Sequence, residues 1–245
     1  MFGSKKTSMA LLVAAFVGTG SYFLPSLPSA AQGNTPKLNS CEPDIRTGRA
    51  KCNYSNADNY IGQLVNALPH GQGVYVFADG GRYEGQFRNG RPNGEGVFIT
   101  NNGARYKGTF ENGNITQGRV TFPDGGYYEG NFKLVTNIDS GKTNSRPWGQ
   151  GKFVYPNGDV YEGEFFAGGP FGNGTLTRSN GTVCRGEFYN ENLDANKAVC
   201  EFPNGATYRG ELKGGLPHGE GVLIGPQGQR FEGRFRNGQP VVDEE

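Results

Sequence analysis

The chain of 245 residues has two histidines, one tryptophan and four cysteines; hydrophobic residues make up only 34% of it, and 24 basic against 23 acidic residues leave a formal charge of +1. Each shortage narrows the field. Lys and Arg are spread along the chain rather than gathered in runs, so no nucleic-acid partner is predicted. Apolar content this low is unlike that of an ordinary domain of the same length. What the chain has in quantity is glycine, 42 residues, together with 17 Phe and 12 Tyr. That much glycine disfavours long helices, which lose roughly 1 kcal/mol per glycine relative to alanine.

The first 31 residues differ from the rest. Lys5 and Lys6 precede an apolar run from Met9 to Gly18, and Pro25 and Pro28 lead into "PSAAQ", with Ser29 and Ala31 spaced for signal peptidase before Gln32. This pattern predicts a secretory signal over 1–31, hence a secreted or periplasmic protein. An uncleaved anchor is the alternative reading, although two glycines and two prolines make the segment a poor spanning helix. No cysteine follows the apolar run closely, which argues against a lipoprotein. Cleavage would remove two lysines and no acid, taking the net charge from +1 to −1.

Beyond this leader the chain repeats. Similar pentapeptides begin at Tyr83 ("YEGQF"), Tyr106 ("YKGTF"), Tyr128 ("YEGNF"), Tyr161 ("YEGEF"), Cys184 ("CRGEF"), Tyr208 ("YRGEL") and Phe231 ("FEGRF"), and with Tyr60 their starts are 23, 23, 22, 33, 23, 24 and 23 residues apart. The one long step holds an insertion at about 133–150. Each pentapeptide alternates ring, glycine and ring with polar residues, the period-two signature of a half-buried strand. A Gly-rich loop such as "RNGRPNGEG" (88–96) leads to a second strand, "GVFIT" at 96 or "GKFVY" at 151, whose third position is always apolar. Between units stand "FADGG", "FPDGG", "YPNGD" and "FPNGA", which suit a type I turn followed by a glycine at positive φ.

These units resemble MORN (membrane occupation and recognition nexus) repeats: "YEGQFRNGRPNGEGVFITNNG" and "YRGELKGGLPHGEGVLIGPQG" follow the family motif nearly position by position, with Phe or Leu at the fifth position where the family often has Trp. The sixth unit, "CRGEFYNENLDANKAVCEF", lacks the GxG of its loop. Independently of that resemblance, hairpins at this period predict an all-β fold: a single elongated, twisted or curled antiparallel meander, on the order of 70 Å long at about 4.8 Å per strand. An aromatic ladder would line its inward face, each aromatic cross-strand pair giving roughly 0.2–1 kcal/mol. The open edges invite a homodimer, and the acidic tail "VVDEE" is placed to protect one of them.

The cysteines extend the array towards the N-terminus. "CEPDI" (41–45) resembles "YEGQF", and "GRAKCNYSNADN" aligns with "GQGVYVFADGGR", so Cys41 and Cys52 occupy the same two columns as Cys184 and Cys200. The expected organisation is a signal over 1–31, a linker over 32–40, a degenerate cap over 41–59 and the repeat array over 60–245. Four cysteines allow three pairings, and the repeat selects Cys41 with Cys52 and Cys184 with Cys200. In an ideal register those partners are diagonal, and the irregular loops of the two units would have to supply the shift. The alternative is four buried thiols serving as core residues.

Little points to catalysis. Glu84, Glu129, Glu162 and Glu232 share a column with Ile61, Lys107, Arg185 and Arg209, as on a solvated face. Glu162 and Glu164 flank a glycine near the carboxylate spacing of glycosidases, with no concave site implied around them. His70 and His218 share a loop column with Asn93, Trp148 and Phe171, and a position that accepts Trp is not a metal or general-base position. The repeated GxG does not precede a helix, so no dinucleotide is predicted. No enzyme, metal or cofactor is therefore expected. The expectation is a non-catalytic interaction or scaffold module that binds a protein or cell-envelope component outside the cytoplasm. The alternatives are a membrane phospholipid surface, for which no basic cluster is visible, and a carbohydrate. Candidate binding residues are Tyr83, Tyr106, Tyr128, Tyr161 and Tyr208 of the ladder, with Trp148 and Arg146 in the insertion.

Overall fold

A computed structural model describes residues 36–136, 141 and 143–242; the segment read as a secretory signal lies outside the described residues. The strands are β1 (Leu38–Glu42), β2 (Gly48–Tyr54), β3 (Asn59–Val65), β4 (Leu68–Val76), β5 (Arg82–Arg88), β6 (Arg91–Ile99), β7 (Arg105–Glu111), β8 (Asn114–Thr121), β9 (Tyr127–Thr136), β10 (Thr143–Val154), β11 (Val160–Phe166), β12 (Gly169–Thr177), β13 (Val183–Phe188), β14 (Ala195–Glu201), β15 (Thr207–Lys213), β16 (Leu216–Ile224), β17 (Arg230–Arg236) and β18 (Gln239–Pro240). Register runs from each strand to the next, always antiparallel, from β1–β2 through β9–β10 to β17–β18. The result is one open 18-stranded meander, with no helix among the described residues. Its first strand begins at Leu38, three residues ahead of the expected start at Cys41.

The turns between units form as their composition dictates. Gly80 N–H donates to the Phe77 carbonyl and Phe77 N–H to that of Gly81, with Gly80 at φ +91°. The turns inside units differ from expectation. The stretch 88–96 is mostly strand rather than loop: β5 runs to Arg88 and β6 starts at Arg91, leaving Asn89 and Gly90 at φ +50° and +82°. Two consecutive residues at positive φ make the primed turn whose twist matches that of the flanking strands, so the hairpin needs no longer connection. The insertion likewise lengthens strands. β9 and β10 continue to a Thr136↔Thr143 pair, past a register shift between Pro147 and Gly151.

From β3–β4 to β15–β16 each hairpin carries a bulge shortly after its first glycine, as between Gly85 and Phe87 or Gly163 and Phe165. The bulge takes a backbone carbonyl out of the ladder, and the unit's tyrosine fills the vacancy. Tyr83 Oη–H donates to the Gln86 carbonyl at 3.1 Å, and Tyr60, Tyr128, Tyr161 and Tyr208 do the same to the carbonyls of Gln63, Asn131, Glu164 and Glu211 at 2.7–3.1 Å. To reach it, the ring lies flat over the facing glycine pair, Gly85↔Gly96 in this unit. The fifth-position Phe then stands edge-on between two such rings: Phe110 is 5.0 Å from Tyr83, and Phe87 is 5.1 Å from Tyr83 and 5.2 Å from Tyr60. Glycine and tyrosine are thus a single device. One supplies the floor, the other the cover and a buried hydrogen bond.

The two cysteine units show what happens without the ring. Cys41 faces Cys52 and Cys184 faces Cys200, both disulfide-bonded, with Cα atoms 4.1 and 4.0 Å apart. The diagonal geometry expected from an ideal hairpin is corrected here. In the Cys184 unit, as in the tyrosine units, the bulge sets the phase so that the first column directly opposes the inward third column, as in Tyr83↔Phe98 and Tyr161↔Leu176; the short turn of β1–β2 gives Cys41↔Cys52 directly. No special shift is needed. With no phenol overhead, the floor can also grow: Ala50 and Ala198 stand where Gly73, Gly96 and Gly174 stand elsewhere, and both are buried. Replacing Cys184 and Cys200 together by alanine should cost about 3 kcal/mol, as estimated for closing a loop of about this length. Urea unfolding of the oxidised protein and the double variant measures it, and an unchanged midpoint would contradict that role.

Candidate functional site

Because the inward face is occupied by its own rings, only the outer face and the loop rims can meet a partner. Tyr83, Tyr106, Tyr128, Tyr161 and Tyr208 are 0–2% exposed, so these candidate binding residues have no ring surface to offer and serve as core. Their phenols are correspondingly hard to ionise: burial is the largest cause in each, and it pushes Tyr208 up to about 12 and the other four higher still.

The outer face is mainly a lattice of charges. Arg82–Glu84 (2.9 Å), Arg119–Glu129 (2.5 Å), Lys152–Glu162 (2.8 Å) and Arg230–Glu232 (2.5 Å) are exposed pairs, each typically worth under about 1 kcal/mol. The glutamate column is therefore engaged with neighbouring cations, as a solvated face would be. His70 and His218 sit at the hairpin rims, where their backbone carbonyls accept from Tyr60 and Tyr208 at 3.5 and 3.1 Å.

One region breaks the pattern with aromatic rings. Trp148 and Arg146, both half-buried, come from β10 beside the inserted hairpin. Trp148 lies 4.6 Å from the Phe166 ring, and Phe166 is 5.5 Å from Phe171. Phe166 and Phe171 are 53% and 49% exposed, among the most exposed rings described. Lys133 of β9 places its ammonium 4.4 Å above the Trp148 ring. The row thus runs across four strands, Lys133, Trp148, Phe166 and Phe171. The sequence pointed only to its second member, although the column after the fifth place held a signal for the next: that position is Arg88, Glu111, Lys133, Lys213 or Arg236 in five other units, but Phe166 here, with Val65 and Tyr189 in the remaining two. Arg146 packs beside Gly168 in the adjoining turn.

Comparison with known proteins agrees with the repeat. The family model described as MORN repeat matches residues 60–82, 83–105, 143–160, 161–183 and 208–230. The unit opened by Cys184 falls outside those segments while keeping the same strand register. No curated protein matches the chain. Among solved structures, the TCP domain of SAS-4 (dCPAP) of Drosophila melanogaster, in complex with a proline-rich motif of Ana2, is 11% identical, with 87% of this chain and 97% of that one covered at a TM-score of 0.38. The TCP10 domain of Danio rerio CPAP is 15% identical over 81% of this chain and 94% of that one, at a TM-score of 0.35. Virginiamycin B lyase from Staphylococcus aureus is 12% identical over 81% and 73%, at a TM-score of 0.16.

Proposed function

The chain is a MORN-repeat protein, and from that premise we propose that it is a non-catalytic interaction module acting outside the cytoplasm, binding a protein or cell-envelope component through its outer face. The observation that carries this reading is the contrast between the two faces. The rings of the repeat are consumed as core, whereas Phe166 and Phe171 stand half exposed, Phe166 in a column where five other units carry charge. Exposed apolar clusters on an otherwise charged surface mark contact sites. An oxidising compartment is supported by the two disulfides, Cys41–Cys52 and Cys184–Cys200, with no free cysteine among the described residues.

A phospholipid surface draws less support, because the cations of the outer face are largely interleaved with acids rather than clustered. A homodimer through the sheet edges is also the weaker reading. β18 pairs with Phe235 and Arg236 of β17 and so covers part of that edge.

Photo-crosslinking tests the proposal. A benzophenone amino acid is placed at Val76, Phe171 or Val199, three exposed outer positions spread along the sheet. In the oxidised protein expressed with residues 1–31 retained, a protease-sensitive adduct with one envelope protein from at least one position is the expected result. Salt-sensitive co-sedimentation with anionic liposomes and no protein adduct would count against it.

A further inference from the structure

The aromatic row has a polarity that names the chemistry of its occupant. At its β9–β10 end lie Lys133, over Trp148, and Arg146, beside Gly168. Across β11–β13 the charges beside the row are acids, the one cation of β13, Arg185, being paired with Glu201. Glu164 lies two residues before Phe166 on the same outer face and turns its carboxylate onto Gly172, next to Phe171. Glu187 is the register partner of Asn173 on β13, and Glu191 packs against Gly169 on the rim side. Glu187 and Glu191 are exposed, and none of the three forms an ion pair among the described residues, unlike Glu84, Glu129, Glu162 and Glu232. Tyr189 follows Phe188, whose partner is Gly172, so it extends the row by one strand beyond Phe171; it is 46% exposed.

Open ring faces flanked by unpaired carboxylates are complementary to a planar cation. Lys133 already demonstrates on Trp148 that a ring of this row accepts one. A guanidinium suits the site better than an ammonium, since it can stack flat on Phe166 or Phe171 while its edge N–H groups reach Glu164. Resting on the interaction-module reading, we propose that Phe166, Phe171 and Tyr189, with Glu164, Glu187 and Glu191, form a docking site for an arginine-bearing polypeptide segment. The segment lies across β11–β13, its arginines on the rings and its backbone along the rim. A neutral glycan would use the rings but leave the three carboxylates without a role.

The only tryptophan of the chain touches Phe166, so its emission reports the site directly. Full-length oxidised protein is titrated with a labelled peptide of alternating Arg and Gly, following Trp148 emission and peptide anisotropy, with Lys–Gly and Glu–Gly peptides alongside. Saturable binding of the arginine peptide is expected, several-fold weaker for the lysine peptide and absent for the glutamate one. Phe166→Arg restores the residue type of Arg88 and Arg236 in that column and leaves the core untouched, so the variant should fold; it should weaken binding at least about tenfold. Glu187→Gln with Glu191→Gln should weaken it about threefold and flatten its salt dependence. Equal affinity in Phe166→Arg, equal affinity for the lysine peptide, or a Trp148 response to cellohexaose in place of the arginine peptide would each overturn the site. An adduct from Val76 or Val199 that survives Phe166→Arg would leave the interaction module standing while this site falls.

Discussion

Raising the pH from 10 towards 12 should unfold the array cooperatively, well before its buried phenols ionise in the folded state. The cause is the tyrosine ladder. An unfolded tyrosine ionises near pH 10. In the folded protein burial raises all of Tyr54, Tyr60, Tyr75, Tyr83, Tyr106, Tyr128, Tyr161 and Tyr208: Tyr54 and Tyr208 to about 12, the rest beyond, with the hydrogen bond from Tyr75 to Asp58 a further cause there. The folded chain therefore retains protons that the unfolded chain releases. The stability this contributes is complete below about pH 10 and falls as pH climbs through the folded values, by up to about 1.4 kcal/mol per pH unit for each tyrosine. With eight such groups, one pH unit is comparable to the whole stability of a typical domain, about 5–15 kcal/mol. Tyrosinate absorbance at about 295 nm and far-UV circular dichroism should change together in one steep step. A broad absorbance titration centred near pH 10 with the sheet intact would contradict the ladder.

Gly96→Ala should destabilise the protein by about 3 kcal/mol, the upper end for overfilling a packed site. A Cβ there would collide with the Tyr83 ring and hydroxyl, and that ring cannot move aside without breaking its bond to the Gln86 carbonyl. Ala50 and Ala198 show that the column tolerates a methyl group where no ring lies above it. The cost should therefore depend on the ring: in a Tyr83→Ala background Gly96→Ala should be nearly neutral. A double-mutant cycle by urea unfolding measures this coupling. Additive losses would mean that the glycine serves its backbone alone.

Much of this was legible in the residues. The period, the two columns of rings and the turn signals "PDG" and "PNG" determine a meander of hairpins, because alternation with a period of two has one buried face and short turns permit only antiparallel neighbours. The matching columns also selected the cysteine partners, as both disulfides bear out. Hairpin phase was not legible. An unpaired residue at a bulge looks like any other residue in the sequence, yet it shifts which side chains oppose one another, and so Cys184 meets Cys200 directly rather than diagonally. The fate of the tyrosines was likewise a tertiary matter. An aromatic column suits a buried ladder or a binding surface equally well until the ring is seen lying on glycines and donating to a bulge carbonyl. The outer row required the same knowledge. Trp148, Phe166 and Phe171 are 18, 5 and 5 residues from their nearest companions along the chain in no regular pattern, and only the register of β10, β11 and β12 sets them side by side. Sequence by itself determined the repeat and the kind of fold, since both follow from local periodicity. Which rings became core and which remained available to a partner was decided by strand register, a property of neighbouring strands that no single strand carries.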